Sequence, residues 1–211
     1  MLYFVKSPFW LKKIYKSCIW KVKTNEKVVF LTFDDGPHPQ WTPFVLEQLK
    51  KYNAKGTFFC IGDNVQKFPE VYKSIIEEGH AVGNHTHNHL NGWKNTDELY
   101  IENVNQANKV IVSKIFRPPY GRIKFSQLRK IRSSDLSLTT VMWSILSGDF
   151  DTRLSGKQCY LNVVSNIEKG AIVVFHDSEK AKDRLKDALP MVLEKLTKEG
   201  YVFKSLSTAE I

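Results

Sequence analysis

From Val28 onward, short apolar runs rich in β-branched and aromatic residues alternate with longer stretches in which apolar residues recur every three or four positions. The short runs predict strands at Val28–Phe33, Gly56–Ile61, His80–Gly83, Ile115–Arg117, Ser137–Trp143, Ala171–Phe175 and Tyr201–Lys204. The periodic stretches predict helices at Thr42–Tyr52, Pro69–Glu78, Thr96–Ser113, Ser126–Ser133, Gly156–Glu168 and Lys182–Glu199. Thr96 followed by Asp97 and Glu98, and the pair Pro69-Glu70, fit first helical turns, while Gly79, Gly170 and Gly200 sit where C-terminal caps belong. Repeated strand–helix units imply an α/β fold with a mostly parallel sheet and helices outside. Seven strands joined by helical crossovers predict a distorted (β/α) barrel of about seven parallel strands rather than an open sheet. No repeat, low-complexity tract or linker marks an internal domain boundary.

The unusual polar residues fall at one end of these strands. Asp34 and Asp35 follow the first, His85 and His89 the third, Arg117 ends the fourth, Asp149 follows the fifth, and His176 with Asp177 follows the sixth. That is the C-terminal face, where α/β barrels build their sites.

The first of these segments, VVFLTFDDGP, stops an apolar strand at two adjacent carboxylates. Two like charges at the end of a buried strand call for an offsetting cation. Histidines stand about fifty residues on, in GNHTHNHL: three of the chain's six lie within five residues. On a helical turn His85 and His89, at i and i+4, present both imidazoles to one side, as a chelate requires. On a strand His85, His87 and His89 would align instead. With Asp35 as an anionic third ligand, a two-histidine, one-carboxylate set leaves open positions for water and substrate, the mark of a catalytic ion. A divalent cation lowers the pKa of bound water from 15.7 to about 7, and Asp34 beside it would serve as base. His176, in AIVVFHDS, fits a general acid, with Asp149, Asp151 and Asp177 as competing carboxylate partners. RPPYG, Arg117 to Gly121, is a stiff turn in which two prolines fix φ and the glycine permits a left-handed exit. It would aim the Tyr120 N–H at a developing oxyanion, and Arg117 would pair with Asp34.

Composition changes this picture little. The 211 residues suffice for one good-sized core. The net charge of +9 suits an anionic partner, but lysines spread along predicted helix faces read as a solubility feature, and no compact basic block or RNA-binding signature points to nucleic acid. Cys18, Cys60 and Cys159 form no CxxC pair and predict neither a zinc ribbon nor a disulfide framework. The N-terminus, MLYFVKSPFWLKKIYKSCIWKV, mixes apolar residues with lysine at nearly every turn. It reads as a packed cover segment, with an amphipathic surface helix as the alternative, and not as a signal peptide. No run approaches the roughly 20 apolar residues of a membrane span.

In order and spacing, TFDDGP, NHTHNH, RPPYG, the WSILSGDF region and VVFHD resemble the motifs of the polysaccharide deacetylases, the NodB-homology or carbohydrate esterase family 4 group. The resemblance runs from about Lys27 to the C-terminus, which sets a deacetylase domain at 27–211 behind a segment at 1–26. It implies a NodB-like distorted barrel and metal-dependent hydrolysis of N-acetylated oligo- or polysaccharides of the chitooligosaccharide or peptidoglycan type. It assigns Asp34 as base, Asp35, His85 and His89 as ligands of a divalent ion (usually zinc, sometimes cobalt or another), His176 as acid and Asp149 as its partner. Tyr120 would supply an oxyanion-holding amide and Arg117 would line the site; His87 falls on a variable position. Phe150 stands where many members carry Trp, Leu146 where an acid is common, and Val174 where Leu is common. These departures touch the substrate groove and leave the ligand set intact. A monomer without nucleic-acid partner is expected. The competing readings are an O-acetyl esterase or non-sugar amide hydrolase on the same fold, and a catalytically silent binder using surface aromatics such as Trp41 and Trp93.

Overall fold

The structure, a computed structural model, describes residues 3–133 and 137–206. Its central strand β1 (Val28–Asp34) is buried at every position, as a parallel strand covered on both faces must be. β1 pairs with β2 (Gly56–Cys60) on one side and β7 (Ala171–His176) on the other. The full order is β5-β4-β3-β2-β1-β7-β6, with β3 Ala81–Asn84, β4 Ile115–Phe116, β5 Thr139–Thr140 and β6 Ile145–Leu146. An eighth strand, β8 (Val202–Phe203), joins the lower end of β1. Every one of these pairings is parallel.

The two edge strands, β5 and β6, are consecutive in sequence. Seven strands laid flat would hold their outer members about 29 Å apart at about 4.8 Å per strand. The chain from Thr140 to Ile145 reaches at most about 18 Å, so the sheet must curl into a barrel-like wall. The residues predicted as one strand, Ser137–Trp143, therefore divide: β5 ends at Thr140, the chain crosses the mouth of the curl, and Ile145–Leu146 forms a strand on the opposite edge. The crossing is held by contacts that no local pattern announces. The carbonyls of Val141 and Met142 accept from the Arg117 guanidinium, Nε at 3.3 Å and Nη2 at 3.0 Å.

Alternation along β1 sorts its side chains. Val29, Leu31 and Phe33 face the outer helices α2 (Trp41–Lys51), α7 (Gly156–Val164) and α8 (Lys182–Lys198), within one core containing Val45, Leu49, Val163, Leu189 and Leu193. Phe30 packs inside the curl with Phe59, Ile115 and Ile172. Thr32 and Asp34 share that inner parity higher up the strand.

The other helices are α1 (Phe9–Ile14), α3 (Gly62–Lys67), α4 (Pro69–Glu77), α5 (Asp97–Asn108) and α6 (Phe125–Ser133); α1 falls in the segment for which a surface helix is the alternative reading, and α3 went unpredicted. Thr96 caps α5, its hydroxyl accepting the Leu99 N–H. Gly79 and Gly200 follow α4 and α8 at positive φ, as expected of caps. Gly170 does not cap α7, which ends six residues earlier. Its φ of 76° turns the chain into β7 against the Val22 carbonyl, where an added Cβ would lie 2.0 Å from the oxygen. The N-terminal strand-like pieces bridge to both lips of the curl, Lys6 to Ile145, Ile19 to Val141 and Lys21 to Ala171. Residues 1–2 of this segment lie outside the described residues.

Candidate metal centre and active site

The base and acid candidates are placed by strand register. Asp34 and His176 are paired positions on adjacent strands β1 and β7, so one inner face carries both. Asp34 is buried, and its Oδ1 accepts from Arg117 Nη1 at 2.7 Å. The same Nη1 donates to Thr32 Oγ1 at 2.7 Å. The guanidinium is fully buried, with its carbon 4.0 Å from the centre of the Phe59 ring and 5.8 Å from that of Trp143. The expected Arg117–Asp34 pair is thus present, inside a socket of carbonyls and aromatic faces.

Asp35 leaves the strand at φ 79°, which turns it out of the alternation. Asn64 Nδ2 holds its carbonyl at 2.8 Å. Its Oδ1 is 3.2 Å from His89 Nε2 and 3.7 Å from His85 Nε2, and one ligand atom from each of the three residues lies within 4.8 Å of the others. His85 and His89 converge, with ring centres 5.1 Å apart, but on neither a helical turn nor a strand. The loop between them is folded by left-handed residues, Thr86 at φ 65° and His89 at φ 56°. Side chains pin it: Asn84 Oδ1 accepts the Thr86 N–H, Asn103 Oδ1 those of His87 and Asn88, and Thr86 Oγ1 that of Leu90. His87 points away and packs at Gly62 at the start of α3, so the three-histidine alignment does not form.

Four non-glycine residues at the site, Asp35, Thr86, His89 and Tyr120, have φ between 56° and 79°. Strain of this kind costs about 1–3 kcal/mol each and persists only where the surroundings over-determine the backbone.

The cluster fits a divalent ion. Asp35 Oδ1 is buried without a hydrogen-bond donor, an acceptor that a cation would satisfy. His85 Nδ1 lies 2.8 Å from the Arg117 carbonyl; the hydrogen on Nδ1 is assigned from that contact, which leaves the Nε2 lone pair facing Asp35. Burial pushes His85 down to about 4, against the pull of Asp34, so the ring is neutral at pH 7, as a ligand must be. Burial also opposes ionisation of Asp35, yet its contact with His89 and the charge of His176 hold its carboxyl well below the usual range. Two imidazole nitrogens and one carboxylate oxygen suit zinc and its transition-metal neighbours.

Across from this cluster, Asp149 is buried and accepts twice from His176, at Oδ1 from the ring Nδ1 and at Oδ2 from the backbone N–H, each at 2.7 Å. Burial disfavours the charged ring, but Asp149, with Asp35 and Asp34 adding, pushes His176 up to about 10. The competing carboxylates are engaged elsewhere. Asp151 pairs with Arg153 and accepts from Tyr3. Asp177 accepts from the Thr42 hydroxyl and is pushed up to about 8, by burial first and then by Asp35 and Asp34.

Aromatic rings flank both halves. Tyr120, exposed, sits 4.6 Å from the His89 ring. Phe150 sits 5.4 Å from His176 and is itself covered by Tyr3 at 5.0 Å. Tyr3, Asn64, Asn103 and the Arg117 carbonyl escaped sequence reasoning because each acts through a contact distant in the chain.

A family model described as polysaccharide deacetylase matches residues 21–138. The peptidoglycan-N-acetylglucosamine deacetylase of Bacillus cereus is 37% identical over 194 residues, spanning 89% of this chain and 90% of that protein. The chitooligosaccharide deacetylase of Azorhizobium caulinodans is 30% identical over 164 residues, spanning 74% of this chain and 77% of that protein. The crystal structure of the Bc1960 peptidoglycan N-acetylglucosamine deacetylase, in complex with 4-naphthalen-1-yl-N-oxidanyl-benzamide, is similar with a TM-score of 0.84 at 32% identity, covering 95% of each chain.

Proposed function

The chain belongs to the polysaccharide deacetylase family, and from that premise we propose that it is a divalent-metal-dependent hydrolase removing the acetyl group from N-acetylglucosamine units of peptidoglycan or chitooligosaccharide type. The observation that carries the reading is the unsatisfied Asp35 carboxylate facing two histidine Nε2 atoms, set beside the register-paired Asp34 and His176. Asp35, His85 and His89 would hold the ion, zinc by donor chemistry. When bound, it supplies a Lewis acid that polarises the acetyl carbonyl and acidifies water.

The chain's own groups do the rest. Asp34, fixed by Arg117, accepts the proton of the attacking water. The backbone N–H of Tyr120 donates to the oxygen on which charge develops. His176 gives a proton to the departing sugar nitrogen, and Asp149 keeps the ring protonated and aimed. The products are acetate and a free amine. Tyr120 beside His89, and Phe150 beside His176, offer aromatic faces to the sugar on either side. The same reading assigns residues 27–211 to the catalytic domain and residues 1–26 to a cover segment, which the bridges from Lys6, Ile19 and Lys21 support.

The test is metal analysis together with acetate release from chitin oligomers, peptidoglycan fragments and acetylated xylan. Release from the N-acetylglucosamine substrates, abolished by chelation and restored by Zn²⁺ or Co²⁺, is expected. His85→Ala should lose both metal and turnover. Undiminished release from chelated protein would overturn the proposal, and release from xylan alone would reassign the substrate to an O-acetyl ester.

A further inference from the structure

We propose that the N-terminal segment docks on an anionic lipid bilayer, through an exposed strip of Phe4, Phe9, Trp10 and Ile14 bordered by lysines. The inference goes beyond the hydrolase reading and uses none of its residues.

Helix α1 buries none of its residues. Phe9 is 71% exposed, Phe4 54%, Ile14 51% and Trp10 46%. These side chains are contiguous. The Phe4 and Trp10 rings meet edge-on at 6.3 Å, Ile14 lies one helical turn beyond Trp10, and Phe9 carries Lys13 Nζ over its ring at 5.5 Å. The strip does not belong to a fraying end. The Leu146 N–H donates to the Val5 carbonyl at 2.8 Å and the Ser7 N–H to the Ser144 carbonyl at 3.0 Å, and Cys18 and Trp20 anchor the far side in the core.

The charge of the molecule is less evenly spread than its chain-wide lysine content implies. Residues 1–26 hold six lysines and one acid, Glu26, which is five of the nine net positive charges. Lys6 and Lys21 converge on the single carboxylate of Glu168, at 3.8 and 2.6 Å. Lys12 lies in the field of both, so three ammonium groups share one counter-charge. An aromatic and aliphatic strip beside surplus lysines is the composition that inserts at the headgroup level of an anionic membrane, with the lysine stems lying along the apolar face. A second copy fits worse, because a two-fold contact through this patch would set each lysine cluster against its own image.

The full chain should co-sediment with mixed phosphatidylcholine–phosphatidylglycerol vesicles and not with pure phosphatidylcholine. Phe9→Ser/Trp10→Ser and Lys12→Glu/Lys13→Glu should each weaken that partitioning about tenfold or more. Acetate release from a soluble N-acetylglucosamine oligomer should stay unchanged in both, which also reports that they fold. Absence of vesicle binding by the wild type would overturn the proposal. So would equal binding by Phe9→Ser/Trp10→Ser, which would reduce the effect to the bulk charge. Concentration-dependent self-association abolished by the same variant would give the patch to a second copy instead.

Discussion

Asp34 and His176 occupy the same register position on neighbouring parallel strands, so a carboxylate and an imidazole share one inner face a single strand spacing apart. In the proposed mechanism a proton acceptor and a proton donor would then serve opposite ends of one reaction without any loop having to bring them together. Asp34→Asn and His176→Ala should each lower acetate release by about 10²–10⁴-fold while bound metal is retained. The double variant should be little worse than the poorer single one, since groups that act as a unit are not additive. Multiplicative losses in steady-state kinetics would show that the two residues act independently of one another.

The Asp149–His176 pair sets a pH dependence. His176 is raised to about 10 from its ordinary 6.5, so the stability it contributes is complete below about pH 6.5 and is lost as the pH climbs through 10. Asp149→Asn removes the main attraction holding the proton. The alkaline limb of kcat/KM should move to lower pH. The melting-temperature gap between wild type and variant should also narrow from pH 6 to pH 10. A pH profile that does not move would show that Asp149 only packs.

Arg117 makes four side-chain hydrogen bonds, to Thr32, Asp34, Val141 and Met142, from a fully buried position. Arg117→Ala would strand the Asp34 carboxylate and two backbone carbonyls without donors. Removing one partner of a buried pair costs about 3–5 kcal/mol, which should appear as a lower denaturant midpoint at unchanged slope. Arg117→Lys restores the charge but not the fork, and should recover only part of the loss.

Much of this was legible in the sequence, because the chemistry sits at the ends of strongly patterned elements. The apolar run from Val28 to Phe33 fixes β1, and its parity fixes which face Asp34 takes. Motif order brought His85, His89 and His176 to the same rim. What the sequence hid is long-range. The left-handed backbone at Asp35, Thr86 and His89 is held in part by Asn64 and Asn103, neither of which carries a turn signature for it. The division of Ser137–Trp143 depends on the Arg117 guanidinium claiming two carbonyls, and the covering of Phe150 by Tyr3 joins residues 147 positions apart.

Tyr120 separates a backbone role from a side-chain role at one position. Its ring is half exposed and rests against His89, while its amide belongs to the strained turn at φ 60°. Tyr120→Ala keeps the amide and removes the ring. If the ring is a sugar-stacking wall, KM for an N-acetylglucosamine oligomer should rise about three- to tenfold, as expected for an aromatic contact of about 0.5–1.5 kcal/mol, with kcat nearly held. Tyr120→Pro instead deletes the N–H, and also forces φ away from its positive value, so its collapse alone would be ambiguous. The discriminating measurement is therefore the split in Tyr120→Ala. A rise in KM supports the wall, whereas a fall in kcat of about 10²-fold or more at constant KM would mean that the ring, through His89, helps position the metal ligands.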